Sequence, residues 1–294
     1  MGSSSNQFCG ILLAGGTGSR LAPLTSAFSK HFLPVYNKPL FYYSLSSLML
    51  AGVRRILVIC TDRDEALFRE YFGRHKNFGL HLTFLVQERP VGLPDAFRIG
   101  ESFIGEDDVV MALGDNIFFG AGFQDFLTHV KTSMNGASVI GVKVSDASRF
   151  GVVELNEKNR ILSIEEKPHT PKSNVAISGL YFFDNTVCKR TKTLKISKRG
   201  ELEIVDLLKS YLVDDKLTAH VLGRGTAWFD AGTSESLKQA GDFIESIETR
   251  QGILVSSPEE IALNRGWLAP QELREITKKM GKSAYSTALK SLLS

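Results

Sequence analysis

The chain has 294 residues, with 35 Lys plus Arg against 32 Asp plus Glu and a net charge of +3 at pH 7. This lacks the basic cluster of a nucleic-acid surface, and no apolar run approaches the roughly 20 residues a bilayer span needs, so neither nucleic acid nor membrane is an expected partner. Three well-separated cysteines (Cys9, Cys60, Cys188) and six histidines without ligand spacing argue against zinc and fit a reducing, cytoplasmic setting.

In chain order, "MGSSSNQ" (1–7) reads as a flexible leader, and "CGILLAG" (9–15) as a buried strand running into the loop "GGTGSR" (15–20). "PLFYYSLSSLMLAG" (39–52) reads as a helix ended by Gly52, followed by strand "RILVICT" (55–61), helix "DEALFREYFG" (64–73) and strand "LTFLVQ" (82–87). Strands "DVVMALGD" (108–115) and "SVIGVKV" (138–144) come next. This alternation predicts an α/β fold: a Rossmann-like, mainly parallel central sheet flanked by helices, with ligands beyond the carboxyl ends of the strands. Residues 149–168 read as a β-hairpin about the polar turn "NEKN", and "AISGLYFFD" (176–184) resumes the strand pattern. The densest basic run, "KRTKTLKISKR" (189–199), reads as a solvated loop. From about residue 234 the pattern is helical throughout. Ser257 before Pro258 and two glutamates marks a helix start within this appendage, which would pack on the core or on a partner subunit. The expected organisation is a catalytic domain over 8–233 and a helical tail over 234–294.

The glycine loop matches neither common phosphate template. G-x-G-x-x-G fails because the third glycine is missing, and G-x-x-x-x-G-K-[ST] fails because no Lys follows Gly18. Glycines after a strand still let backbone N–H groups approach an anion, and Arg20 and Lys30 add a planar fork and a compact charge. A tight turn carrying surface cations is the plainer alternative. Two carboxylates, Asp115 and Asp230, end otherwise apolar segments. One such Asp is commonly a cap or turn former; two beside a phosphate-type loop suggest Mg²⁺, which takes one or two carboxylates plus substrate phosphates. Lys167 beside Glu166 in "EEKP" is by itself an ordinary exposed salt-bridged turn.

The order G-G-x-G-[ST]-R-L-x-P-L-T, S-K-x-x-L-P-V and K-P, followed by "LGDN", "EEKP", "SGLYF", "RGELEI", "GTAWFDAGT" and "RQG", resembles the sugar-nucleotide pyrophosphorylases from Cys9 to nearly the end. The resemblance implies a fold of the nucleotide-diphospho-sugar transferase type whose hairpin region binds sugar. It implies transfer from dTTP to glucose 1-phosphate, giving dTDP-glucose for deoxysugar synthesis, with Mg²⁺ as cofactor and a homotetrameric assembly. Residue by residue, it implies catalytic roles for Arg20, Lys30 and Lys167. Nucleotide contacts fall to Leu13, Gly15, Gly16, Thr17, Gly18, Gln87, Gly92 and Asp115, with Gln87 and Gly92 reading the base. Sugar contacts fall to Gly151, Glu166, Lys167 and Tyr181, and metal binding to Asp115 and Asp230. The chain departs from the common pattern at His31 (usually Gln), at Pro94–Asp95 (usually Ala–Gln) and at Phe150 (usually Tyr), positions that bear on base and sugar preference. Asn264 stands where many relatives place an Arg serving a second nucleotide site, with Arg265 next to it. Rival readings are a UTP-preferring relative and a non-catalytic nucleotide-binding regulator, which would be expected to have lost some of the five charged site residues. A dinucleotide dehydrogenase is disfavoured by the missing glycine.

Overall fold

The computed structural model describes residues 7–75 and 78–293, so the expected leader lies outside the described residues except for Gln7. Its strands are β1 (Phe8–Ala14), β2 (Pro34–Val35), β3 (Lys38–Pro39), β4 (Arg55–Cys60), β5 (His81–Val86), β6 (Asp108–Leu113) and β7 (Asn116–Phe119). They continue as β8 (Ala137–Lys143), β9 (Gly151–Leu155), β10 (Ile161–Glu166), β11 (Val175–Phe183), β12 (Leu217–Val221) and β13 (Ala227–Asp230). Nine of them form one mixed sheet in the order β10–β9–β11–β6–β1–β4–β5, with β8 on β11 and β12 on β8. β1, β4, β5 and β6 are parallel neighbours; β1, β4 and β6 are the near-continuous apolar runs expected of strands covered on both faces, while β5, at the sheet edge, alternates exposed and half-buried positions at its start.

Register decides where the loops emerge. Leu13 pairs with Leu113, Ala14 with Cys60 and Cys60 with Val86, so these four strands end together. The glycine loop after β1, Gln87 after β5 and Asp115 after β6 therefore share one edge of the sheet. The hairpin forms as read: β9 and β10 pair antiparallel, Gly151 opposite Glu166, and the Asn156 carboxamide oxygen accepts from the backbone N–H of Lys158 and Arg160 to close the turn. The basic run at 189–199 is only partly the solvated loop expected. Its first residues complete the helix Val187–Lys192, because Val187, Cys188 and Thr191 are apolar or small enough to bury one face.

The tail packs on the core of its own chain. The helix Ser234–Gln251 places Ala240 and Ile244 against Val35, Tyr43 and Ile117, while Leu273, Ile276, Tyr285 and Leu289 join the main core beside Phe72 and Phe78. Buried polar groups fasten the joint. Lys38 Nζ lies 2.6 Å from Glu248 Oε1, which also accepts from Val255 N–H. Ser257 caps the helix Pro258–Asn264, as its sequence signature predicts. Glu259, fully buried, accepts from Tyr42 Oη (3.0 Å), Tyr285 Oη (2.6 Å) and Ser257 Oγ (3.3 Å). Burial pushes its carboxyl above the usual range, and these hydroxyls oppose that shift. Glu259→Ala removes the acceptor shared by three buried hydroxyls and leaves a cavity, and it is expected to destabilise the fold by about 2–4 kcal/mol, lowering the Tm by several degrees, whereas Glu259→Gln keeps most of the bonds and loses far less. Differential scanning calorimetry giving equal Tm for the Ala variant and the parent would disprove this role.

Candidate active site

Each site residue is delivered by a local device. After β1, Gly16 (φ 97°) and Gly18 (φ 64°) take left-handed conformations open to glycine. The Gly18 carbonyl then accepts from Leu21 N–H and Thr25 Oγ1, both at 2.8 Å, fixing the turn Ser19–Leu21 that presents Arg20. Ser29, buried, donates to Asp64 Oδ2 (2.8 Å), anchoring the next turn so that Lys30 Nζ reaches Asp115 Oδ2 in an ion pair. Burial and the Lys30 charge drive the neighbouring His31 down to about 3, so its imidazole is neutral. Lys167 takes φ 42°, an uncommon conformation for a residue with a Cβ, directly after β10; its Nζ stands 3.7 Å from Glu166 Oε1. Glu166 also meets Arg199 Nη1 at 3.3 Å, and burial raises its carboxyl while Lys167 and Arg199 pull it down.

Asn116 is the hub of the site. Its Nδ2 donates to Asp115 Oδ1 (3.0 Å), and its Oδ1 accepts from Gly179 N–H (2.9 Å) and Trp228 Nε1 (2.6 Å). The approach at Gly179 is so close that any Cβ there would stand 2.6 Å from the Asn116 carboxamide, which requires glycine in β11. β7 and β13 pair with Asn116 opposite Asp230, so the ladder itself brings the second carboxylate beside the first. The helix Phe41–Leu50 braces this corner: Ser44 Oγ lies 2.7 Å from the Leu113 carbonyl oxygen and 2.9 Å from that of Asn116.

Two adjoining cavities open here. One, of about 540 Å³, is lined by Arg20, Asp115, Asp230 and all four residues expected at the sugar, Gly151, Glu166, Lys167 and Tyr181. The other, of about 230 Å³, is lined by Leu13, Gly15, Gly16, Lys30, Gln87 and Gly92, again with Asp115. Asp115 belongs to both. Thr17 and Gly18 line neither; they shape the turn between them. Sequence reasoning missed Asn116, Arg149, Arg199 and Trp228. The signal for Asn116 lay in "LGDN", but its partners are at distant positions in the chain.

The donor set bears on a metal. Among the described residues no cluster of three or more His, Cys, Asp or Glu forms, which leaves the pair of aspartates. Burial works to raise Asp115, yet the Lys30 charge and hydrogen bond, with His31 and Asn116, hold it at about 2. Burial and the Asp115 charge raise Asp230, against the pull of Arg20 and Lys30. Two repelling, partly desolvated carboxylates facing one cavity with cationic neighbours fit a hard divalent cation that takes its other ligands from phosphate and water.

A phosphate-type turn, paired carboxylates and two cavities joined at one of them are the layout of a nucleotidyl-transfer site. The chain matches the nucleotidyl transferase family over residues 9–247, and it belongs to that family. It is 49% identical to the glucose-1-phosphate thymidylyltransferase of Neisseria meningitidis over 97% of this chain and 99% of that one. A Bacillus anthracis protein described as a glucose-1-phosphate thymidylyltransferase, crystallised with sucrose, superposes with a TM-score of 0.74 at 37% identity, over 80% of this chain and 94% of that one. A UDP-glucose pyrophosphorylase complexed with UDP-glucose shares the fold, with a TM-score of 0.71 at 22% identity over 82% of this chain and 99% of that one. The resemblance and the fold class read from the sequence are both borne out.

Proposed function

We propose that this chain transfers the thymidylyl group of dTTP to glucose 1-phosphate, releasing pyrophosphate and forming dTDP-glucose. The observation that supports this reading is the meeting of two cavities along a wall that includes Asp115, which leaves room for a nucleotide and a sugar phosphate to lie end to end. The sugar-phosphate oxygen attacks the α-phosphorus in line as pyrophosphate departs. That nucleophile is already an anion, so alignment and charge neutralisation carry the catalysis. Lys167 holds the attacking phosphate while Glu166, Tyr181 and the Gly151 backbone frame the sugar. Arg20 and Lys30 neutralise the leaving pyrophosphate. Leu13, Gly15 and Gly16 line the nucleotide's berth, and Gln87 and Gly92 meet its base. Asp115 and Asp230 would hold Mg²⁺, which when bound supplies positive charge to the α-phosphate. Residues 8–233 serve as the catalytic unit. The tail, 234–294, supports a cytoplasmic homotetramer, for which light scattering should give four times the 32.4 kDa chain mass.

The test is pyrophosphate release with glucose 1-phosphate and Mg²⁺ across a panel of nucleoside triphosphates. The highest kcat/KM is expected with dTTP. An equal value with UTP would move the base assignment to uracil and thymine alike, and no release with any triphosphate would overturn the reading.

A further inference from the structure

The amide of Gln87 is not free to turn. Its Nε2 donates to Asp95 Oδ2 at 3.0 Å. Asp95 opens the helix Asp95–Ile99 and does not line the nucleotide cavity; its backbone N–H reaches the Gly92 carbonyl, and its side-chain carboxylate meets the cavity lining through Gln87. A carboxylate accepts hydrogen bonds and has none to give, so the opposite amide orientation would set two acceptors face to face. The other end of the amide lies over the glycine loop: a Cβ on Gly15 would stand 3.0 Å from Gln87 Oε1, and both residues line the cavity. Gln87 Oε1 meets no donor among the described residues.

We propose that Asp95 is a positioning residue that sets base selectivity, by locking Gln87 so that it presents only its carbonyl oxygen to the incoming base. The inference rests on the reading of this cavity as the nucleotide's berth. A locked acceptor pairs with the imino N3–H of thymine or uracil. It opposes the bare ring N3 of cytosine, which is itself an acceptor, and an unpaired acceptor in a partly buried site is penalised heavily. At position 95 an Asp can only accept, whereas a Gln there could either donate or accept.

The experiment compares kcat/KM for dTTP and dCTP in the parent, in Asp95→Asn, in Asp95→Ala and in Gln87→Ala. Asp95→Asn keeps the shape but can itself donate, letting the Gln87 amide turn over. Its dTTP-to-dCTP ratio is expected to fall by about tenfold or more, mostly through KM, with kcat for dTTP nearly unchanged. Asp95→Ala, which removes the acceptor without supplying a donor, moves the ratio the same way by less. A general structural role would lower both substrates together and leave the ratio intact; that result in both Asp95 variants overturns the proposal. Should Gln87→Ala collapse the ratio while the Asp95 variants keep it, Gln87 reads the base without this lock. Should Gln87→Ala also keep it, the nucleotide-berth reading fails, and the proposal with it.

Discussion

Asp115→Asn is expected to lower the rate of pyrophosphate release on the order of 10³-fold at saturating substrates, the scale on which loss of one preorganised electrostatic group acts. The substitution keeps the side chain's shape and leaves Asn116 Nδ2 within reach of an oxygen, so the fold should stay intact. What it removes is charge at a carboxylate that lines both cavities and pairs with Lys30. Lys30 then loses its ion partner, and a divalent cation held by the two aspartates, as proposed, would lose half of its carboxylate charge. The loss should be accompanied by a higher Mg²⁺ concentration for half-maximal rate and a weaker Mg²⁺ binding isotherm by titration calorimetry. A rate within tenfold of the parent, with unchanged Mg²⁺ affinity, would remove Asp115 from the metal site.

The sequence made some of this architecture plain and hid the rest for identifiable reasons. Continuous apolar runs such as "GILLA" and "RILVIC" could hardly be anything but strands covered on both faces, and the shared ends of β1, β4, β5 and β6 then followed from topology. Asp115 and Asp230 stood out because each ends an apolar segment. Their proximity was not legible from spacing, since it depends on β13, a four-residue strand that pairs only with β7. The Asn116–Gly179–Trp228 knot joins residues 63 and 112 positions apart, which no local pattern can signal. The basic run at 189–199 looked uniformly solvated because its charges mask the buried Thr191 and the reach of Arg199 to Glu166. Likewise the K-P pair carries no local sign that Lys38 is buried. Only the tail helix carrying Glu248 explains why it is buried.

Arg20→Ala should reduce turnover by roughly 10²–10³-fold, chiefly in kcat, if its guanidinium neutralises charge that grows as pyrophosphate leaves. The side chain is exposed and makes no buried packing, so stability should change by less than about 0.5 kcal/mol and the defect should be one of chemistry. The geometry allows a second, independent approach. A Cβ on Gly232 would stand 2.6 Å from Arg20 Nη2 and 3.1 Å from Asp230 Oδ1. Gly232→Ala therefore displaces the tip of a flexible side chain without straining backbone, and it should lower kcat in the same direction as Arg20→Ala though by less. If the arginine is the affected element, the two changes will not be additive: Gly232→Ala placed on top of Arg20→Ala should cost little more than Arg20→Ala alone, because the group it displaces is already gone. Full additivity would mean that Gly232 acts through Asp230 instead, and an Arg20→Ala enzyme retaining its parent's kcat would exclude the arginine from the leaving-group side of the reaction.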